Sequence, residues 1–142
     1  MATAGRECAW SLCVDAATAR LAEVRRFVEA VAGEAALDPE RAFDCKVAVS
    51  EACANAVEHA GCESTPLEIS AHLDQLRLTF VITDTGLFRP PSPARNDFGS
   101  RGLGLPLMVT LMDEVTFAKT TKGGTQVTLS VLIDRGTAPD SD

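Results

Sequence analysis

The chain reads as a single-domain α/β (α+β) protein: a two-layer sandwich whose mainly antiparallel mixed sheet is covered on one face by helices. Three features predict it. Two segments with helical periodicity come first. A run in which apolar and polar residues alternate follows, split by only two residues as a hairpin would be, and a second alternating pair closes the chain. Strands of this kind leave half the sheet apolar, and amphipathic helices are what can cover that half.

Each element has its own signal. "ECAWSLCV", residues 7–14, is short and mostly apolar and ends at Asp15, which suits an opening strand followed by a helix N-cap. From Ala16 to Ala32 the residues Leu21, Val24, Val28 and Val31 recur at three and four, with Arg20, Glu23, Arg26 and Glu29 largely outside that stripe. Asp38 and Pro39 make a cap and first-turn pair. They open a second helix through Phe43, Val47, Ala54 and Val57 to a stop at Gly61. "LEISAHLD" and "LRLTFVIT" alternate strictly and should pair as a hairpin across Asp74 and Gln75. Residues 87–99 hold three prolines and no periodicity, a loop long enough to suggest a lid. A short helix over about Leu103 to Met112 follows, and strands near Val115–Lys119 and Gln126–Ile133 flank "TTKGGT". The expected domain spans 1–142, with its core over about 7–133 and a frayed tail at 134–142.

Composition narrows the function classes. With 142 residues and 46% hydrophobic content the chain can bury one core, and no internal repeat or second-domain boundary is visible. Twenty acidic against 13 basic residues leave a net charge of −7, which disfavours direct contact with nucleic acid while leaving room for a local basic pocket. Acidity favours a protein or small-molecule partner. The absence of a long apolar run or a secretory layout predicts a cytoplasmic protein without a membrane partner. Cys8, Cys13, Cys45, Cys53 and Cys62 are odd in number and include no CxxC pair, so they read as core residues, with metal or redox chemistry the alternative. Cys62, beside Gly61, is the expected exposed thiol.

Four short motifs carry the chemistry. In "SEACANAVEHA" Glu51, Asn55 and Glu58 fall at spacings of four and three, on one helix face. A carboxylate there can take a proton from a hydroxyl, and an amide oxygen one turn away can ligate a hard cation such as Mg²⁺. The alternative is a solvated helix face. "DTG", Asp84 to Gly86, holds a carboxylate where a strand ends, beside a glycine that permits close approach of a flat ligand; an exocyclic amine such as that of adenine suits it. "GSRGLG", Gly99 to Gly104, precedes a helix, where unpaired N–H groups and the helix dipole favour an anion such as a triphosphate. "GGT", Gly123 to Thr125, adds a turn and a hydroxyl.

In this order "AVSEACANAVEHA", "VITDTG", "GSRGLGLPLM" and "GGTQVTL" resemble the N, G1, G2 and G3 boxes of the GHKL ATPase superfamily. "LPLMVTLMDEV" resembles most the anti-sigma-factor serine/threonine kinase branch. The resemblance covers roughly residues 15–133 and implies the Bergerat ATP-binding fold. No phosphoacceptor-histidine helix precedes the first box, as a sensor histidine kinase core would require. Position by position, the resemblance implies Glu51 as general base and Asn55 as Mg²⁺ ligand. It implies Asp84, Gly86 and Thr125 at the adenine, Gly102, Leu103 and Gly104 around the phosphates, and Arg101 reaching a terminal phosphate. It further implies a protein kinase that uses ATP and Mg²⁺, holds a sigma factor, phosphorylates an anti-sigma-factor antagonist and forms a homodimer, with Arg20 a candidate partner contact. There is one departure. The second glycine of the family's first glycine box is replaced by Phe88, and Pro90, Pro91 and Pro93 stiffen the segment beyond it. That departure supports the alternative of a module that binds ATP and sequesters its partner without catalysis. A stand-alone ATP hydrolase is the weaker third option.

Overall fold

A computed structural model describes residues 7–59, 65–84, 104–121 and 124–133, with backbone alone at 59 and 104–107. The element order is β1 (Cys8–Asp15), α1 (Leu21–Glu34), α2 (Pro39–His59), β2 (Pro66–Leu73), β3 (Arg77–Asp84), α3 (Gly104–Leu111), β4 (Glu114–Lys119) and β5 (Thr125–Leu132), with a 3₁₀ turn over Thr18–Arg20. The strands form one sheet in the order β1-β2-β3-β5-β4, and the sheet expected to be mainly antiparallel is antiparallel in every described ladder.

Register explains the layering. Trp10, Leu12 and Val14 stand opposite Ala71, Ile69 and Leu67, which stand opposite Phe80, Ile82 and Asp84, so one face is apolar from edge to centre. Val127, Leu129 and Val131 continue that face across β5. Phe80, Leu67, Ile69 and Leu129 are completely buried there, each contributing roughly 1.5–3 kcal/mol over exposure. The other face carries Ser11, Ser70, Thr79, Thr83 and Thr128, which need no cover.

The helices cover the apolar face in different ways. On α1 the stripe Val24, Val28 and Val31 is completely or almost completely buried, as its periodicity predicts. The helix starts later than expected. Asp15 ends β1 and caps nothing with its side chain; Ala17 stays extended, and the 3₁₀ turn leads into Leu21. At its other end α1 closes in a Schellman turn, Leu37 N–H bonding Ala32 O and Ala36 N–H bonding Gly33 O, which forces Ala36 to φ 60°, where glycine is the usual residue.

The second helix is capped as predicted: the Asp38 carboxylate accepts the Arg41 N–H at 2.9 Å, ahead of Pro39. Its buried side differs from the apolar residues that mark it in sequence. Phe43 is 58% exposed, while Cys45, Ala48, Val49, Ala52, Cys53 and Ala56 face the core. Small side chains let α2 lie close over the sheet and between α1 and α3. Lys46 reaches across to Glu29 of α1 at 2.7 Å, and that contact holds the Glu29 carboxyl below its usual range. The β2–β3 turn is longer than the expected Asp74–Gln75 pair: Leu76, expected to open the second strand, lies in the turn and is 68% exposed, because the Asp74 carboxylate accepts N–H groups of Leu76 and Arg77 at 2.7 and 2.9 Å and β3 begins only at Arg77. The expected lid at 87–99, the helix stop at Gly61, Cys62 and the tail from Asp134 lie outside the described residues.

Candidate functional site

At one end of the sheet the chain collects the groups expected to bind a ligand. β3 ends at Asp84, which is 6% exposed and faces the helix layer between Leu67 and Thr125 in the adjacent strands. Of the charged side chains among the described residues, it is the one buried in the core. Burying a carboxylate is expensive unless something nearby engages it, and Asp84 does have a partner contact. Asp84 and Thr125, both expected at the adenine, are direct cross-strand neighbours, with the half-buried Thr125 side chain on the same face.

Above this end runs the second half of α2. Glu51 and Asn55, four residues apart, are both half-buried, and Glu58 is exposed. Of the row expected from spacing, Glu51 and Asn55 thus lie along the rim of the helix, while Glu58 is on its solvated side. Between Glu51 and Asn55, Cys53 points inward and is completely buried; burial pushes its thiol up to about 12, and the negative charge of Asp84 adds to the shift. Cys53 and Asp84 are therefore neighbours, where α2 packs against β3. Cys53 is a site neighbour that sequence reasoning placed among ordinary core cysteines. Its signal was available: it is two residues from both Glu51 and Asn55, on the opposite side of the helix.

Chain direction brings α3 into the same arrangement. The Arg41 guanidinium, in the first turn of α2, reaches the Leu111 carbonyl at the end of α3, so the two helices run antiparallel. α3 begins at Gly104, the last glycine of the second glycine motif, with its N-terminus directed back toward the Asp84 end. The β4–β5 turn is tied by reciprocal bonds: Thr120 N–H to Gly124 O at 3.0 Å and Gly124 N–H to the Thr120 hydroxyl at 2.9 Å. This holds the start of β5, and with it Thr125, in place. A hollow of about 300 Å³ lined by Glu68, Thr83, Asp84, Thr120 and Gln126 opens at this end. Glu68, Thr83 and Gln126 share a row of the uncovered face, so the hollow lies behind Asp84, away from Glu51 and Asn55.

Asp84, Thr125, Glu51, Asn55 and the backbone of Gly104 are therefore brought to one end. Gly86, Phe88, Arg101, Gly102, Leu103 and Gly123 lie outside the described residues. No group of three or more His, Cys, Asp or Glu among the described residues could hold a metal ion. No helix among them is long and apolar enough to cross a membrane.

Comparison with known proteins agrees with this architecture. Residues 14–131 match the family model described as a histidine kinase-like ATPase domain. A relative named "Serine-protein kinase RsbW" from Halalkalibacterium halodurans is 36% identical over 104 residues, covering 65% of this chain and 64% of the relative. A protein of the same name from Bacillus subtilis is 35% identical over 65% of this chain and 66% of its own length. A protein named "Anti-sigma F factor" from Clostridium novyi is 31% identical, over 64% of this chain and 72% of its own length. The chain thus spans just under two thirds of the length of the first two relatives. A solved structure of the RsbU and RsbW domains of Rv1364c from Mycobacterium tuberculosis superposes with a TM-score of 0.68 at 22% identity, over 88% of this chain and 32% of that one, a likeness of fold. With the match running from β1 through β5, the chain belongs to the histidine kinase-like ATPase domain family.

Proposed function

We propose that this domain binds ATP with Mg²⁺ at the Asp84 end of the sheet and transfers the terminal phosphoryl group to a serine or threonine of a small protein partner. The observation that carries this is the placement of a buried carboxylate, in register with a threonine, beneath a helix that presents a second carboxylate and an amide at its rim. Asp84 accepts a hydrogen bond from the adenine amine, and Thr125 supports it. Gly86, Gly102, Leu103, Gly104 and Arg101 belong to the same proposal as base and phosphate contacts. Glu51 takes the proton of the attacking hydroxyl as its oxygen bonds to phosphorus and the bond to ADP breaks. The half-buried Asn55 offers one neutral oxygen beside Glu51, which fits a cation that takes its remaining ligands from phosphate and water. When bound, Mg²⁺ supplies charge neutralisation on the phosphates.

The relatives named as serine-protein kinase and anti-sigma F factor support a regulatory switch, whose place we propose is the cytoplasm. In it the domain sequesters a sigma factor and phosphorylates the antagonist that would release it. Arg20, half-exposed and paired with Glu23 at 3.2 Å, remains a candidate contact for such a partner, and a homodimer remains part of the proposal. Incubation with labelled ATP, Mg²⁺ and the small regulatory proteins encoded nearby tests it. Label should appear on a partner serine or threonine and fall about 10²- to 10⁴-fold in Glu51→Ala, with ATP still bound. Phe88 favours one other reading, a non-catalytic ATP-binding module. Under it Glu51→Ala leaves partner regulation intact and Asp84→Asn abolishes it.

A further inference from the structure

We infer that Arg41 and Asp113 are positioning residues of the nucleotide site, acting from the opposite end of the molecule by setting the gap between α2 and α3; the inference rests on the reading of that site proposed above. Arg41 leaves the first turn of α2 and meets Asp113 just past the end of α3, Nη2 donating to Oδ2 at 2.7 Å, while Nη1 donates to the Leu111 carbonyl at 3.4 Å. Asp113 is itself held by the sheet. Its Oδ2 also accepts the Leu132 N–H at 2.7 Å, and its own N–H donates to Ser130 O at 2.9 Å. One carboxylate oxygen, two residues past the end of α3, thus joins the first turn of α2 to the last residue of β5.

Both bonds of Arg41 are directional, and the one to Asp113 is charge-assisted. Met108 of α3 and the small side chains of α2 belong to one apolar cluster, and apolar contacts resist sliding only weakly compared with a charge-assisted hydrogen bond. The side chains of Arg41 and Asp113 are 33% and 39% exposed. An ion pair so open to water contributes only about 0–1 kcal/mol to stability. Glu51 lies ten residues along α2 from Arg41, about 15 Å, so a tilt of about 5° at the clamp displaces it by about 1 Å. Displacements of that size are costly wherever groups from two elements must meet one ligand. The triphosphate of ATP is such a ligand in the proposed site, engaging Asn55 on α2 and the backbone at Gly104 where α3 begins, whereas the adenine moiety engages Asp84 and Thr125 of the sheet.

The test compares ATP with Mg²⁺ against adenosine, by calorimetry well below each thermal midpoint. The variants are Arg41→Gln, Arg41→Lys, Asp113→Asn and the double variant Arg41→Gln/Asp113→Asn. Asp113→Asn keeps an oxygen for the Leu132 N–H. ATP affinity should fall about three- to fivefold in Arg41→Gln and Asp113→Asn, the most that a contact worth about 1 kcal/mol can shift, with adenosine affinity unchanged. Arg41→Lys should recover part of the loss, and the double variant should be no worse than the weaker single one. A lowered thermal midpoint with both affinities unchanged, or with both falling together, overturns the inference and leaves the clamp a structural tie. A wild-type chain that takes up neither ligand, or adenosine alone, overturns the nucleotide site itself, and the inference with it, before any substitution is made.

Discussion

The two ends of the sheet are built from the same strands and opposite chemistry. At the far end, charges are exposed and paired: Arg41 with Asp113 at 2.7 Å and Arg77 with Glu114 at 2.7 Å, while Asp74 closes the β2–β3 turn. At the site end a carboxylate is buried on the helix side of the sheet, and half-buried polar groups sit on the rim of α2. Ion pairs in water stabilise weakly but cost little to form. A buried carboxylate is costly to the fold and is retained where a ligand group can meet it. The same helix records the contrast in its two inward cysteines. Burial pushes both Cys45 and Cys53 up to about 12. After burial Cys45 feels Arg41, Asp44 and Asp113, whereas Cys53 feels Asp84.

Substitutions can break or sharpen this contrast. The largest effect belongs to the residue that serves both ends. Phe80, completely buried at mid-strand, should cost about 3–5 kcal/mol on truncation to alanine, lowering the denaturation midpoint and abolishing nucleotide uptake and the far-end contacts together. Loss of one end alone would mean that the ends are independently folded. Next, Asp38→Ala removes the cap of α2 and should cost about 1 kcal/mol in denaturant titration with little change in nucleotide affinity. Ala36→Gly relieves the positive φ at the end of α1, offset in part by extra freedom in the unfolded chain, and should stabilise by roughly 0.5–1 kcal/mol.

The smallest effect concerns acid. The backbone N–H groups of Leu76 and Arg77 hold the Asp74 carboxyl below its usual value, so it favours the fold above the ordinary carboxylate pKa of about 4 and loses that contribution as pH falls through its folded value. Asp74→Asn should flatten the acid limb of a stability-versus-pH curve. An unchanged limb would remove Asp74 from the account of the far end.

How much of this was written in the sequence depends on range. Alternation alone placed Leu67, Ile69 and Ala71 on one face with Phe80 and Ile82, because a two-residue period leaves a strand no other buried face. The Asp38–Pro39 cap was legible because capping is local. The buried side of α2 was not: alanines and cysteines fill several of its faces, and Phe43 is apolar yet exposed. The insertion of β5 between β3 and β4 was not legible either, since each of those strands alternates equally well as an edge. Asp84 and Thr125 could be named from their motifs, but their register could not. Arg41 and Asp113, 72 residues apart, leave no spacing to read. Cys53 was hidden by its type, being one more small residue on a helix rich in them.

We propose that Asp84, Thr125, Glu51 and Asn55 form one adenine nucleotide site. Calorimetric titration of the purified chain with ATP and Mg²⁺, beside Asp84→Asn, tests it most directly. Saturable binding is expected for the wild type, weakened on the order of 100-fold or more in Asp84→Asn at a temperature well below the thermal midpoint of each protein. Equal affinity in the two proteins, or no binding to the wild type at millimolar ATP, would contradict it.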